Sequence, residues 1–133
     1  MPVYVAAGVI LRESRILVSK RHQGAHQGGL WEFPGGKVEA DESVEQALAR
    51  ELKEELGIVV NLARPLMKVE HDYGDKQVVL DVWLVRDFAG EAVGREGQVV
   101  QWCSPEGLAE LAFPEANSPI VEEVLRLAQA GAL

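Results

Sequence analysis

Ser43-Val44-Glu45-Gln46-Ala47-Leu48-Ala49-Arg50-Glu51-Leu52-Lys53-Glu54-Glu55-Leu56-Gly57 opens with a helix start signal and closes with a helix stop. Ser43 with Gln46 three residues on has the form of a capping box, each side chain satisfying the other residue's backbone N–H. Gly57 stands where a chain leaves a helix through a positive φ. The spacing predicts a helix over 44–56. Advancing about 100° per residue puts Val44, Ala47 and Leu48 on one inward stripe. Continuing that stripe asks for apolar residues at 51 and 55, yet Glu51 and Glu55 occupy those places with Glu54 beside them. Leu52 and Leu56 drift to one edge. Three carboxylates are therefore expected on one arc turned toward the protein.

A solvated acidic face is the ordinary explanation of such a cluster, and it fits poorly here. Like charges at i,i+3 and i,i+4 destabilise a helix by about 0.2–0.5 kcal/mol per pair. Carboxylates near a core also lose hydration. A hard cation offsets both costs, and carboxylate oxygens suit Mg²⁺ or Mn²⁺, often in company with substrate phosphates. On helix geometry alone the two explanations stand level.

Outward from the helix, Val3 to Leu11 and Ile16 to Ser19 read as strands joined in a hairpin across a short polar turn. His22 to Gly29 is a glycine-punctuated loop. Leu30 to Phe33 reads as a short strand stopped by Pro34-Gly35-Gly36. Strands are expected at Ile58–Asn61, Leu66–Tyr73, Gln77–Phe88 and Val99–Trp102. A last helix begins after Asn117-Ser118-Pro119, with Ile120, Val121, Val124, Leu125 and Ala128 on one side. Strands mixed with two main helices predict an α/β (α+β) layered domain.

The chain has 133 residues, and no repeat or linker divides it, so a single domain over 1–133 is expected. The net charge of −8 argues against nucleic-acid polymers and anionic membranes as partners. It permits a small phosphorylated ligand, because bound metal reverses the local sign. Residues 37–57 hold seven acidic and three basic side chains, half of the net charge. Cys103 is the single cysteine, so no internal disulfide forms. No stretch approaches the roughly 18 apolar residues of a membrane span, and no signal peptide is seen, so a cytoplasmic protein is expected.

The spacing from Gly36 through Glu42 to Arg50-Glu51-Leu52-Lys53-Glu54-Glu55-Leu56-Gly57-Ile58 resembles the Nudix box, G-x5-E-x7-R-E-U-x-E-E-x-G-U with U apolar. All nine specified positions over 23 residues agree. The chain is similar to MutT-type Nudix hydrolases across nearly all of its 133 residues. Leu30 to Lys37, Gly94 to Gln98 and Phe113 to Asn117 carry the similarity outside the box. The resemblance implies a mixed β-sheet sandwiched between α-helices. It also implies a Mg²⁺-dependent enzyme, Mn²⁺ serving as a substitute, that cleaves 8-oxo-dGTP and related triphosphates to the monophosphate and pyrophosphate. ADP-ribose, a dinucleoside polyphosphate or another triphosphate is the alternative substrate, and a nucleotide sensor without turnover is a further one.

By the same resemblance, Glu51, Glu54, Glu55, Glu96 and the Gly35 carbonyl hold the cations. Glu51 and Glu96 compete as general base, Arg50 pairs with Glu51, and Lys37 neutralises phosphate charge. Arg21, His26, the backbone of Glu32, Phe33, Pro34 and Gly35, and Asn117 line the nucleotide site, Asn117 reading the purine edge. Taken alone, Asn117 is a helix cap, with Ser118 competing for that place. A nucleoside triphosphate is the expected partner and the protein is expected to be a monomer.

Overall fold

The computed structural model describes residues 2–21 and 29–133. Strands β1 (Val3–Arg12), β2 (Arg15–Lys20), β3 (Trp31–Glu32) and β4 (Gly35–Lys37) precede helix α1 (Val44–Leu56). Strands β5 (Val59–Asp72), β6 (Gln77–Ala89) and β7 (Val100–Cys103) follow. The short helix α2 (Pro105–Leu108), a 3-10 turn (Glu115–Asn117) and helix α3 (Ser118–Gln129) complete the chain. The sheet runs β3-β2-β1-β6-β5, with β4 on β1 and β7 on β2. The β1–β6 pair is parallel and the others are antiparallel.

Alternation along β1 divides the core in two. Ala7, Val9 and Leu11 face α2 and α3 with Leu108, Ile120 and Val124. Ala6 and Ile10 face α1 with Leu48, Leu52 and Leu56. Period-2 side chains on a strand covered on both faces require this. The result is a mixed sheet between helices, as expected.

Helix α1 spans the predicted residues. Gln46 N–H donates to Ser43 Oγ at 3.1 Å and Ser43 N–H to Gln46 Oε1 at 2.8 Å. Gly57 caps the far end at φ 75°. Ser43→Ala removes one half of this box and is expected to cost about 1 kcal/mol, read as a lower denaturant midpoint at unchanged slope.

Several boundaries differ from expectation. The buried stripe of α1 runs Leu48, Leu52, Leu56 along the i,i+4 ridge, rather than leaving the leucines at an edge. Glu51 and Glu55 flank it half-buried, while Glu54 is exposed, so two carboxylates and not three turn inward. Leu30 and Phe33 lie outside β3, and Gly35–Lys37 is a strand rather than a stop. It pairs with Val5–Ala7, where the neighbouring strand supplies the conformation that glycine does not favour by itself. The two strands expected at Ile58–Asn61 and Leu66–Tyr73 are one, β5. Pro65 is tolerated because β5 is an edge, and register shifts flank it. Among the described residues no helix is long and apolar enough to cross a membrane.

Candidate active site

Arg50 organises the first turn-facing side of α1. Its guanidinium donates to Glu42 at 2.7 and 3.0 Å, to Glu51 at 2.9 Å and to the Lys37 carbonyl at 3.1 Å. Glu54 lies 3.5 Å away on the exposed side. The hydrogen bonds from Arg50, and then the Glu39 N–H, hold the Glu42 carboxyl below the usual carboxylate range. This network ties the loop before the helix to the helix itself and fixes the Glu51 carboxylate by a charge-assisted bond.

Gly36 makes room for that carboxylate. A Cβ there would sit 2.5 Å from Glu51 Oε2 and 2.6 Å from Oε1. At Gly35 a Cβ would instead overlap the Ala6 carbonyl oxygen and lie 2.9 Å from the Ala7 Cα. The double glycine therefore serves two separate close approaches, one to a functional side chain and one to β1.

Glu55 is the centre of the acidic cluster. Its Oε2 is buried without a hydrogen-bond partner among the described residues. Burial pushes its carboxyl up to about 9, with Glu51, Glu32 and Glu96 adding to the effect and a hydrogen bond to Glu51 holding the proton. Among the described residues no three acidic, His or Cys side chains converge tightly enough to enclose an ion. The donor set nevertheless fits a hard divalent cation. An orphaned buried carboxylate oxygen, faced by further carboxylates, needs a positive charge to be ionised at neutral pH. Glu96 is exposed on the 94–98 loop, which docks on the end of α1.

Beside this cluster a cleft of about 190 Å³ opens. Val3, Val5, Ala7, Val78 and Leu80 from β1 and β6 give it an apolar floor. Phe33, stacked on Phe113 at 5.3 Å, and Pro114 form one wall. Arg21 and Glu32 form an ion pair within it, and Gly35 and Lys37 stand on the side of α1. The Lys37 side chain is exposed. Asn117 also lines the cleft, and although it stands at the N-cap position of α3 its amide makes no capping bond.

Arg21, Glu32, Phe33, Gly35, Lys37 and Asn117 are thus brought together, next to Glu51 and Glu55. Pro34 is buried behind them, its carbonyl taken by Gly8 N–H at 2.8 Å. His26 lies outside the described residues. Sequence reading missed Tyr73 and Lys76, which the β5–β6 hairpin delivers to the opposite wall. Burial raises the Tyr73 phenol, Arg21 opposing and Glu115 adding. Neither residue belongs to a motif; only the strand pairing shows where they stand.

Residues 6–123 match the NUDIX domain family. The chain belongs to the Nudix family. This Nudix chain is 40% identical over 124 residues to the 8-oxo-dGTP diphosphatase of Escherichia coli K12, covering 92% of the chain and 96% of that protein. It is 39% identical over 125 residues to the CTP pyrophosphohydrolase of the same organism, covering 94% and 93%. A solved MutT structure, from work on the Aliivibrio salmonicida and Vibrio cholerae proteins, superposes with a TM-score of 0.81 at 41% identity. That match covers 93% of this chain and 96% of the other.

Proposed function

We propose that this Nudix domain, read as a single unit over 1–133, hydrolyses 8-oxo-dGTP and related guanine triphosphates to the monophosphate and pyrophosphate. It is a hydrolase of phosphoric anhydrides, and its role is to cleanse the nucleotide pool before replication. The observation that carries the reading is the Asn117 amide, free of capping duty in an apolar-floored cleft that adjoins the Glu51–Glu55 pair. An amide presents donors and an acceptor together and so can pair with the altered edge of an oxidised purine. The protein is read as monomeric and cytoplasmic.

Nudix hydrolases generally need a divalent metal, and Mg²⁺, with Mn²⁺ as substitute, is the ion proposed here. Glu51, Glu55 and the Gly35 carbonyl would hold it, with Glu54 and Glu96 completing the set from the exposed side. When bound, such an ion polarises the phosphoryl group and acidifies water. The Arg50–Glu51 ion pair, which holds that carboxylate in one orientation, supports Glu51 over Glu96 as the base that would take the proton of the water attacking the β-phosphorus. Arg21 orients the nucleotide together with Glu32, and Lys37 offsets charge that develops on the phosphates.

The near-equal identity to the CTP pyrophosphohydrolase favours CTP as a second reading. Steady-state rates with Mg²⁺ on 8-oxo-dGTP, dGTP, CTP, ADP-ribose and a dinucleoside polyphosphate separate these. The highest kcat/KM is expected for 8-oxo-dGTP. A higher value for CTP moves the substrate to pyrimidines, and a higher one for ADP-ribose removes the triphosphate assignment. Binding without turnover marks a sensor. Asn117→Ala is expected to lower kcat/KM for 8-oxo-dGTP about tenfold to hundredfold, and that for CTP far less. Equal losses on both would place Asn117 outside base recognition.

A further inference from the structure

The last carbonyls of a helix have no partners within it. At the end of α1 the 93–98 segment supplies them. Arg95 N–H donates to the Glu55 carbonyl at 2.9 Å and Val93 N–H to that of Leu56 at 3.1 Å. Arg95 Nη1 reaches the Lys53 carbonyl at 3.3 Å. Gln98 adds a link of another kind. Its Nε2 donates to the Glu55 carbonyl at 3.2 Å, while its Oε1 accepts from Glu96 N–H at 2.9 Å. One planar amide thus ties the backbone of Glu55 to that of Glu96.

The turn is shaped around this side chain. Gly97 takes a left-handed φ of 83°. A Cβ at Gly94 would overlap the Gln98 carbonyl oxygen and lie 3.3 Å from Gln98 Oε1. Gln98 is half-buried, whereas Arg95 and Glu96 within the turn are exposed. Only an amide of this length offers a donor at one end and an acceptor at the other. A carboxylate would set its charge against the Glu55 carbonyl, and asparagine is one methylene shorter.

We infer that Gln98 is a positioning residue: its amide clamps the exposed Glu96 loop to the end of α1 and so sets Glu96 against the carboxylate of Glu55. The inference rests on the reading that these two glutamates act together on a cation in anhydride hydrolysis. Groups that orient cation-binding carboxylates typically matter about tenfold to hundredfold in metal affinity or activity.

The test is a double-mutant cycle with wild type, Gln98→Leu, Glu96→Gln and the double variant. Mn²⁺ affinity is read by electron paramagnetic resonance without nucleotide, and kcat and KM by steady-state assay, all at a temperature where each protein is folded. Gln98→Leu is expected to lower both Mn²⁺ affinity and kcat roughly tenfold, with KM moving less than about threefold. In the Glu96→Gln background the same substitution is expected to change either quantity less than about twofold, because the residue it acts through is gone. Additive losses overturn the inference. So does a Gln98→Leu protein that melts earlier yet keeps its kcat and Mn²⁺ affinity. Should Gln98→Leu fail to fold, Gln98→Met, uncharged and of similar length but without the amide, carries the same cycle. If the wild type hydrolyses none of the nucleotides, the functional reading fails while the Mn²⁺ cycle still decides the role of Gln98.

Discussion

Glu55→Gln is expected to lower turnover by at least about a hundredfold and, in the absence of divalent cation, to make the protein more stable at alkaline pH. Both effects come from the same burial. The Glu55 carboxyl keeps its proton in the fold up to about 9, against an ordinary value of 4.5 in the unfolded chain. Between those values the native state binds a proton that the unfolded state has released. The stability associated with the neutral carboxyl is therefore fully present below about pH 4.5 and is lost progressively as pH rises to about 9. Glutamine stays neutral throughout and should flatten this slope. A difference of even about 1 kcal/mol shifts the melting midpoint of a domain this size by roughly 3 to 5 °C. Melting scans in chelator at pH 4 and pH 8 are expected to coincide at the lower pH and diverge at the higher, the variant melting later. Millimolar Mg²⁺ should then stabilise the wild type and leave the variant unmoved. Coincident melts at pH 8 in chelator would remove Glu55 as the buried charge of the site.

The second large effect separates two adjacent glycines. Gly36→Ala places its methyl against the far end of the Glu51 side chain, which can swing away. The fold is expected to survive, and the displaced carboxylate to cost about a hundredfold in kcat, since misplacement by an ångström has that scale. Gly35→Ala meets the backbone of Ala6 and Ala7, which cannot move without parting β4 from β1. It is expected to cost roughly 3 kcal/mol or more in chemical denaturation. Wild-type turnover in Gly36→Ala would mean that Glu51 takes no part in the chemistry.

What could be read before the structure was what the chain encodes locally. Ser43, Gln46 and Gly57 mark α1 by themselves, because caps and stops act over three or four residues. The box spacing from Gly36 to Ile58 is likewise written along one segment. The strand at Gly35–Lys37 was hidden because glycine has no strand preference and the pairing comes from Val5–Ala7. That the stretches Ile58–Asn61 and Leu66–Tyr73 join through Pro65 into one strand depends on β5 lying at the sheet edge, which is set by tertiary pairing. The outward turn of Glu54 followed from Leu52 and Leu56 claiming the buried ridge, a choice made by the sheet they pack on. Tyr73 and Lys76 enter the cleft only through the register of β5 on β6. For Asn117 the local sequence permits both capping and recognition, and only the course of the chain into α3 shows that its amide makes no capping bond.

The irregular course of β5 has a bearing on how copies of this protein behave at high concentration. Val59 and Leu62 are exposed apolar residues on a strand with no outer neighbour among the described residues, the arrangement that invites a second chain to add on and begin aggregation. The register shifts lie at Val60/Leu62, Leu62/Ala63 and Pro65/Met67, beside those side chains. A backbone bent at these places does not offer a straight row of donors and acceptors, and Pro65 withholds one donor altogether. These register shifts are expected to make the exposed apolar edge a poor template for a second chain.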